Sequence, residues 1–172
     1  ECAATKSVAV TIMADQSSDN EPGALSHIRV VELGDITASY ATRLLADLGA
    51  DVIKVEPPGG DPNRWLPPFA GDIEHPERSL TFINANTNKR SIVLDLAHNS
   101  ADNETFAKLL ASAQLFVEAT PLGLLEQLGF TDARLQKEHV ALVTVSLTPF
   151  GRTGPHRHYK ASDAIANASG GF

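Results

Sequence analysis

Cysteine occurs once in this 172-residue chain, as Cys2. That excludes a disulfide framework and a thiolate metal centre, and it fits a reducing, cytoplasmic setting. Long apolar runs are missing too: none approaches the roughly 20 residues that a membrane-spanning helix needs. Positive charge is scarce. Fourteen Lys and Arg stand against 21 Asp and Glu, a net charge of −7. General nucleic-acid binding is thereby excluded, because it needs an electropositive face; a local basic pocket for a small anion is not. The six histidines never take the i, i+4 spacing of a zinc-binding helix. His156 and His158 flank Arg157 in a polar loop and read as solvated.

What is present is an alternation of apolar strands and amphipathic helices. Residues 1–26 read as a disordered tail, because "DQSSDNEPG" is polar and turn-rich. From residue 28 the pattern sharpens. "IRVVEL" (28–33) reads as a buried strand. "ASYATRLLADLG" (38–49) reads as a helix with Tyr40, Leu44, Leu45 and Leu48 on its inner face, ended by Gly49. "DVIKVE" (51–56) is a second strand. Strand, helix and strand within 30 residues make a βαβ unit and require a parallel pair. A Pro/Gly-rich loop (57–77) follows, which Trp65 and Phe69 are expected to pack down.

Further strands are expected at 91–96, 115–119 and 141–147. Helices are expected at 101–113, 123–129 and 132–139. Phe106, Leu109 and Leu110 should face inward, Asp102 or Asn103 should cap the first of these helices, and Thr131 the last. The expected fold is α/β: a Rossmann-like parallel sheet with flanking helices. Ligands in such sheets bind beyond the carboxyl ends of the strands. Those ends carry Gly34-Asp35, Glu56-Pro57, residues 118–121 and Thr148-Pro149-Phe150, which should rim one crevice. A dinucleotide is disfavoured there. Glu56 resembles a ribose-binding acid, but the first turn holds only Gly34 and lacks G-x-G-x-x-G.

Several long motifs occur in order: "LLADLGADVIKVEPPGGDP", "NKRSIVLDL", "LLEQLGF", "SLTPFGRTGP" and "ASDAIANASGG". Together they resemble class III CoA-transferases, the family of formyl-CoA transferase, carnitine CoA-transferase and α-methylacyl-CoA racemase. The resemblance covers residues 27–172 and implies the N-terminal part of a longer protein whose full form is an interlocked homodimer. It implies no permanently bound cofactor; coenzyme A and acyl-CoA are substrates, and a carboxylic acid is the acceptor.

The resemblance makes Asp163 the catalytic nucleophile. It implies CoA contacts from Asn86, Lys89 and Arg90 of the "NTNKRS" stretch and from Arg64 after "GGDP". Thr120 and Gln127 of "EATPLGLLEQ", and Thr148, complete the implied contacts. Ala119, Thr120 and Gln127 depart from the more common E-N-F-x-P-G…Arg pattern and are closer to a branch with T-P-P-G. Read without the resemblance, Lys89 and Arg90 are a solvated charged turn, and Ser162 or Asp163 is a helix cap.

An aspartate suits the implied role because it is ionised at neutral pH without a partner base. Attack on an acyl-CoA thioester gives an acyl-aspartyl anhydride. The released thiolate then attacks the anhydride and gives an aspartyl-CoA thioester, which an incoming carboxylate resolves. The family's glycine-rich loop beside the nucleophile lies beyond Phe172, so the 172 residues alone are expected to be inactive. A racemase of the same fold is the alternative, but it uses His before the matching Asp, and Ser162 stands there. A non-catalytic CoA-binding homologue is the other alternative.

Overall fold

The structure, a computed structural model, describes residues 22–171, without the side chains of Asp163 and Ala166. Five strands form one sheet: β1 (Arg29–Gly34), β2 (Asp51–Glu56), β3 (Arg90–Val93), β4 (Leu115–Ala119) and β5 (Val143–Ser146). Their order is β3-β2-β1-β4-β5, and every pairing is parallel. The helices are α1 (Ile36–Asp47), α2 (Leu80–Asn86), α3 (Ser100–Ala111), α4 (Leu124–Gln127), α5 (Asp132–Glu138) and α6 (Asp163–Gly170). The expected α/β architecture is therefore present. Helix α2, which has no strong apolar period, is the element that the sequence pattern does not announce. No helix among the described residues is long and apolar enough to cross a membrane.

Short oxygen side chains start every α-helix but α4, whose N-cap is Gly123. The Thr37 N–H donates to Asp35 Oδ1, Phe82 N–H to Ser79 Oγ, Arg134 N–H to Thr131 Oγ1, and Ile165 N–H to Ser162 Oγ. Helix α3 is capped by Asn99, which accepts from the Ala101 N–H, not by Asp102 or Asn103. Asp102 instead accepts from the Asp95 N–H and ties the helix start to the end of the preceding strand. Residues 1–21 lie outside the description, but 23–26 form a turn on the body of the fold: Leu25 N–H donates to the Leu48 carbonyl at 3.0 Å.

One face of the sheet is apolar in the ordinary way. Val31, Val55 and Phe116 meet Phe106 and Leu110 of α3, Leu125 of α4 and Leu135 of α5. Phe106 and Leu110 face inward as expected. Helix α1, on the opposite face, differs from expectation. Ala38, Ser39, Thr42 and Ala46 are its buried residues, while Tyr40 and Leu44 are 55% and 50% exposed. The reason lies beneath it: Glu32 of β1 is fully buried there, and the Ser39 and Thr42 hydroxyls of α1 donate to it. Small polar residues have to face the sheet, so Tyr40, Leu44 and Leu48 turn outward, while Leu45 stays partly buried against the core as expected.

The long loop also packs differently than expected. Trp65 is half exposed. The loop is held by Arg64, whose guanidinium lies 3.9 Å from the Phe82 ring centroid.

Candidate functional site

The strand order reverses between β1 and β4: the chain runs outward through β2 and β3, then returns to the other side of β1. A crevice of about 710 Å³ opens beyond the carboxyl ends of the strands at this point. Leu33, Val55, Leu94, Leu96, Leu124 and Leu147 make it largely apolar. The rim includes Gly34-Asp35, Glu56-Pro57, Ala119 to Pro121 and Pro149, drawn from the four segments expected there. The loop after β3 adds Asp95 and Ala97. Gly34 is required where β1 meets β4: with φ of +129°, a Cβ would stand 2.5 Å from the Ala119 carbonyl oxygen.

The sequence-expected contact residues are distributed over distinct places. Thr120 is on the crevice wall. Its N–H and hydroxyl both donate to Glu118 Oε2, at 2.9 and 2.7 Å, so the buried Glu118 sets the conformation of the turn after β4. Thr148 lies behind that turn, beside Glu118, Thr120 and Arg152. Its Oγ1 is buried without a partner among the described atoms. Gln127 is exposed at the end of α4 and does not line the crevice.

Arg90 begins β3, at the other end of the sheet, and pairs with Asp51. Its side chain is 65% exposed. Asp163 is the first residue of α6, and its side chain lies outside the description. The helix cap that was one reading of this region is supplied by Ser162.

Asn86, Lys89 and Arg64 face inward. They belong to a buried charged cluster between the sheet and α1/α2, behind the crevice wall. Glu32 accepts four hydrogen bonds. Ser39 Oγ (2.6 Å) and Lys54 Nζ (2.8 Å) reach Oε1; Thr42 Oγ1 (2.6 Å) and Lys89 Nζ (2.8 Å) reach Oε2. Lys89 Nζ also donates to the Ser39 carbonyl at 2.6 Å and to Asn86 Oδ1 at 3.0 Å. Lys54 extends the cluster to Asp61 Oδ2 at 2.7 Å. Arg64 forks onto both oxygens of Glu56 at 2.8 and 2.9 Å and reaches Glu77 at 2.9 Å. Every donor of Lys89 is thus engaged by the protein itself, which leaves none directed at a phosphate in this arrangement.

Burial and pairing compete throughout the cluster. Burial pushes the Glu32 carboxyl up, but the Lys54 and Lys89 charges and hydrogen bonds outweigh it and hold it at about 2. Burial pushes Lys89 down to about 8, with Glu32 offsetting part of the shift and Lys54 adding to it. Lys54, between Glu32 and Asp61, moves up despite its burial. Glu56 moves down, because Arg64 and the Asp61 N–H outweigh its burial.

Glu32, Lys54 and Asp61 are not singled out by the sequence, and Glu56 is singled out only as a rim residue and a ribose-like acid. A signal was available: "VIKVE" places charges at every second strand position, and "VELG" sets one inside an apolar strand. In parallel register Glu32 lies opposite Lys54, so one alternation puts opposite charges on the same face.

Comparison with known proteins agrees with this architecture. A sequence profile of CoA-transferase family III matches residues 25–172. The chain is 40% identical over 147 residues to a succinyl-CoA:(R)-benzylsuccinate CoA-transferase subunit from Thauera aromatica, covering 86% of this chain and 36% of that relative. It is 41% identical to a succinyl-CoA:mesaconate CoA-transferase from Haloarcula hispanica, covering 87% and 39%. It is 35% identical to an acetyl-CoA:oxalate CoA-transferase from Acetobacter aceti, covering 93% and 40%. The crystal structure of a CAIB/BAIF family protein from Brucella suis superposes with a TM-score of 0.78 at 37% identity, over 88% of this chain and 40% of that one. The chain thus spans about two fifths of the length of these three relatives.

Proposed function

The chain belongs to CoA-transferase family III, and from that premise we propose that it binds a CoA thioester in the crevice and passes CoA between carboxylic acids through Asp163. The observation that carries this reading is the position of the crevice. It lies at the switch point of the sheet, and two of its wall residues, Leu147 and Pro149, lead into the segment that ends at α6. An apolar crevice of about 710 Å³ suits the pantetheine arm and the adenine face of CoA. The acids named after the CoA donor for the three relatives, benzylsuccinate, mesaconate and oxalate, each carry two carboxyl groups, while the third relative's donor, acetyl-CoA, carries a monocarboxylic acyl group. We extend the two-carboxyl chemistry of those acids to this chain and take its acceptor to be dicarboxylic.

An Asp163 carboxylate oxygen attacks the thioester carbonyl carbon, the C–S bond breaks, and CoA leaves as thiolate. The thiolate attacks the aspartyl carbonyl of the mixed anhydride and releases the first acid as carboxylate. An incoming carboxylate attacks the aspartyl-CoA thioester, forms a second anhydride and frees CoA thiolate again. That thiolate attacks the new acyl carbonyl and regenerates Asp163. No proton transfer is obligatory, so an ionised carboxylate needs no base.

A racemase reading would require a proton carrier beside Asp163. Ser162 is a poor one, and its Oγ accepts the Ile165 N–H. A purely CoA-binding role differs from the transferase reading only in the fate of Asp163.

Asn86, Lys89 and Arg64 serve the crevice indirectly under this proposal. Arg64 fixes Glu56, and Lys54 fixes Asp61, both residues of the wall. Thr120, presented by Glu118, is the expected residue that touches the ligand. Full turnover and the interlocked dimer are proposed for a polypeptide of the relatives' full length.

Two measurements test the reading. Calorimetry should detect CoA binding by the 172-residue chain, lost on replacing Ala119 with Trp at the crevice wall. Hydroxylamine added during acyl exchange by a polypeptide of the relatives' full length should convert Asp163 to its hydroxamate. Continued exchange with Asp163 unmodified, or with Asp163→Asn, would overturn the mechanism.

A further inference from the structure

Strands β4 and β5 run into the same two residues. "VEATP" (117–121) and "VSLTP" (145–149) each close with Thr-Pro. The parallel register sets Val117 opposite Val145 and Glu118 opposite Ser146. Carried on by two places, that register brings Thr120 beside Thr148. Side chains two apart on a strand share a face, so Glu118, Thr120, Ser146 and Thr148 gather on one side of the sheet at its carboxyl end. The Leu147 N–H donates to the Glu118 carbonyl at 2.8 Å, which holds the two chains together where the strands stop.

The two threonines differ in what meets them. The Thr120 hydroxyl donates to the residue two places before it, Glu118, at 2.7 Å to Oε2, and the Thr120 N–H joins it at 2.9 Å. The residue two places before Thr148 is Ser146, whose side chain is too short to do the same. Ser146 Oγ instead accepts from Arg152 at 3.2 Å. The Thr148 hydroxyl is left over: its Oγ1 is buried and has no partner among the described atoms. Buried polar groups in folded proteins are met by protein or by ordered water, because desolvation without a hydrogen bond is costly.

A cavity of about 10 Å³ adjoins this hydroxyl, close to the space that one water needs. Glu118, Thr120, Thr148 and Arg152 line it, and residues 121–123 close it. Glu118 is buried, and the hydrogen bonds it accepts from described side-chain and N–H donors both fall on Oε2. Oε1 therefore has acceptor capacity to spare. An anion does not suit the place. Arg152, its cation, already donates to Glu126 at 2.6 Å and Asp132 at 2.8 Å, and Glu118 adds a third acid. The Asp132 hydrogen bond outweighs burial and lifts Arg152 above its ordinary value, with the charges of Asp132, Glu126 and Glu118 adding to the rise. A small neutral molecule that both donates and accepts is what the lining fits.

We propose that one water molecule is bound in this cavity, accepting from the Thr148 hydroxyl and donating to Glu118 Oε1, and that Thr148 is thereby a positioning residue for the crevice. Glu118 fixes Thr120, and Thr120 and Pro121 belong to the crevice wall. Thr148 is not among the wall residues, so its influence runs through the water and Glu118 and not through contact with a ligand. The positioning role, though not the water, rests on the reading of the crevice as a CoA site.

Water relaxation dispersion counts long-lived buried waters in the ligand-free 172-residue chain. Thr148→Val, close to threonine in size, should hold one fewer than wild type. Thr148→Ser, which keeps the hydroxyl, should hold the wild-type number. A wild-type crystal structure should place that water about 3 Å from both Thr148 Oγ1 and Glu118 Oε1, and it decides the matter even if the valine variant does not fold. Calorimetry then reads CoA. Thr148→Val should bind it about threefold more weakly, the scale of one hydrogen bond, and Thr148→Ser should match wild type. An unchanged water count in Thr148→Val, or wild-type crystals with no water between the two side chains, overturns the inference. Loss of the water with CoA affinity unchanged overturns the positioning role, as does a Thr148 hydroxyl seated directly on CoA in crystals of the complex. If no form binds CoA, the CoA reading falls and the positioning role with it, while the water count still decides the water.

Discussion

Where α3, α4 and α5 cover the sheet, Phe106 meets Phe116 and Phe130 edge to face at 5.7 and 4.9 Å, with aliphatic side chains all round. Under α1 and α2 the same strands present Glu32, Lys54 and Glu56. The difference follows from strand parity: in β1, Val31 and Leu33 point one way, and Val30 and Glu32 the other. Hydrophobic burial alone can hold the first face. The second depends on each charge meeting its partners, since the desolvation of a buried ion is offset only by saturated pairing. Glu32 meets that condition with four donors.

The sharpest separation of the two faces lies in how each fails. Phe106→Ala should cost about 3–5 kcal/mol by cavity formation. Glu32→Gln should cost a similar amount, about 3–5 kcal/mol, because it leaves Lys89 buried without an anion. Both are read from urea midpoints at constant m-value. The faces part company on rescue. Glu32→Met combined with Lys89→Met leaves Lys54 paired with Asp61 and should recover most of the loss. A second substitution beside Phe106 should add to the first loss. No recovery in the double methionine variant would mean that the charged cluster is held by packing and not by pairing.

pH should separate the faces more finely. The Glu32 carboxyl sits at about 2 in the fold against 4.5 ordinarily. Its contribution is present above pH 4.5 and lost as pH falls toward 2. Lys89 sits at about 8 against 10.5. Between those values the unfolded chain binds the proton that the folded one has released, so stability rises with pH across the window. The rise is at most about 3 kcal/mol. The measurement is the urea midpoint from pH 7 to 10.5 in wild type and in Lys89→Met. A variant curve parallel to the wild-type curve would remove Lys89 from the account.

Much of the fold was legible because strand and helix periods are local. Strand β2 falls on the expected residues, and the other expected helices and strands fall within a few residues of place. The four crevice segments follow from parallel topology alone. The contact residues were harder. Lys89 and Arg64 look like solvated cations in one dimension, because their partners Glu32 and Glu56 lie 57 and 8 residues away. Only the register that puts Glu32 opposite Lys54 turns four scattered charges into one cluster. Helix α1 was misjudged for the same reason. Tyr40, Leu44 and Leu48 make a convincing apolar stripe, but the buried Glu32 needs the Ser39 and Thr42 hydroxyls, and that need fixes the rotation of the helix.

That rotation has the smallest predicted effect and is the cleanest to check. If hydroxyl donation to Glu32 orients α1, then Leu44, half exposed, contributes little. Leu44→Ala should change stability by no more than about 0.5 kcal/mol, as expected for a surface substitution. Ala46, which is buried against the sheet two positions later, responds in the opposite way. Ala46→Leu adds volume where the helix lies close to the strands, and should cost about 1–3 kcal/mol by overpacking. Were the helix turned as its apolar stripe suggests, Leu44→Ala would leave a cavity worth about 2–5 kcal/mol and Ala46→Leu would be harmless. One pair of urea curves therefore decides whether carboxylate pairing or apolar area sets the face that this helix shows to the sheet.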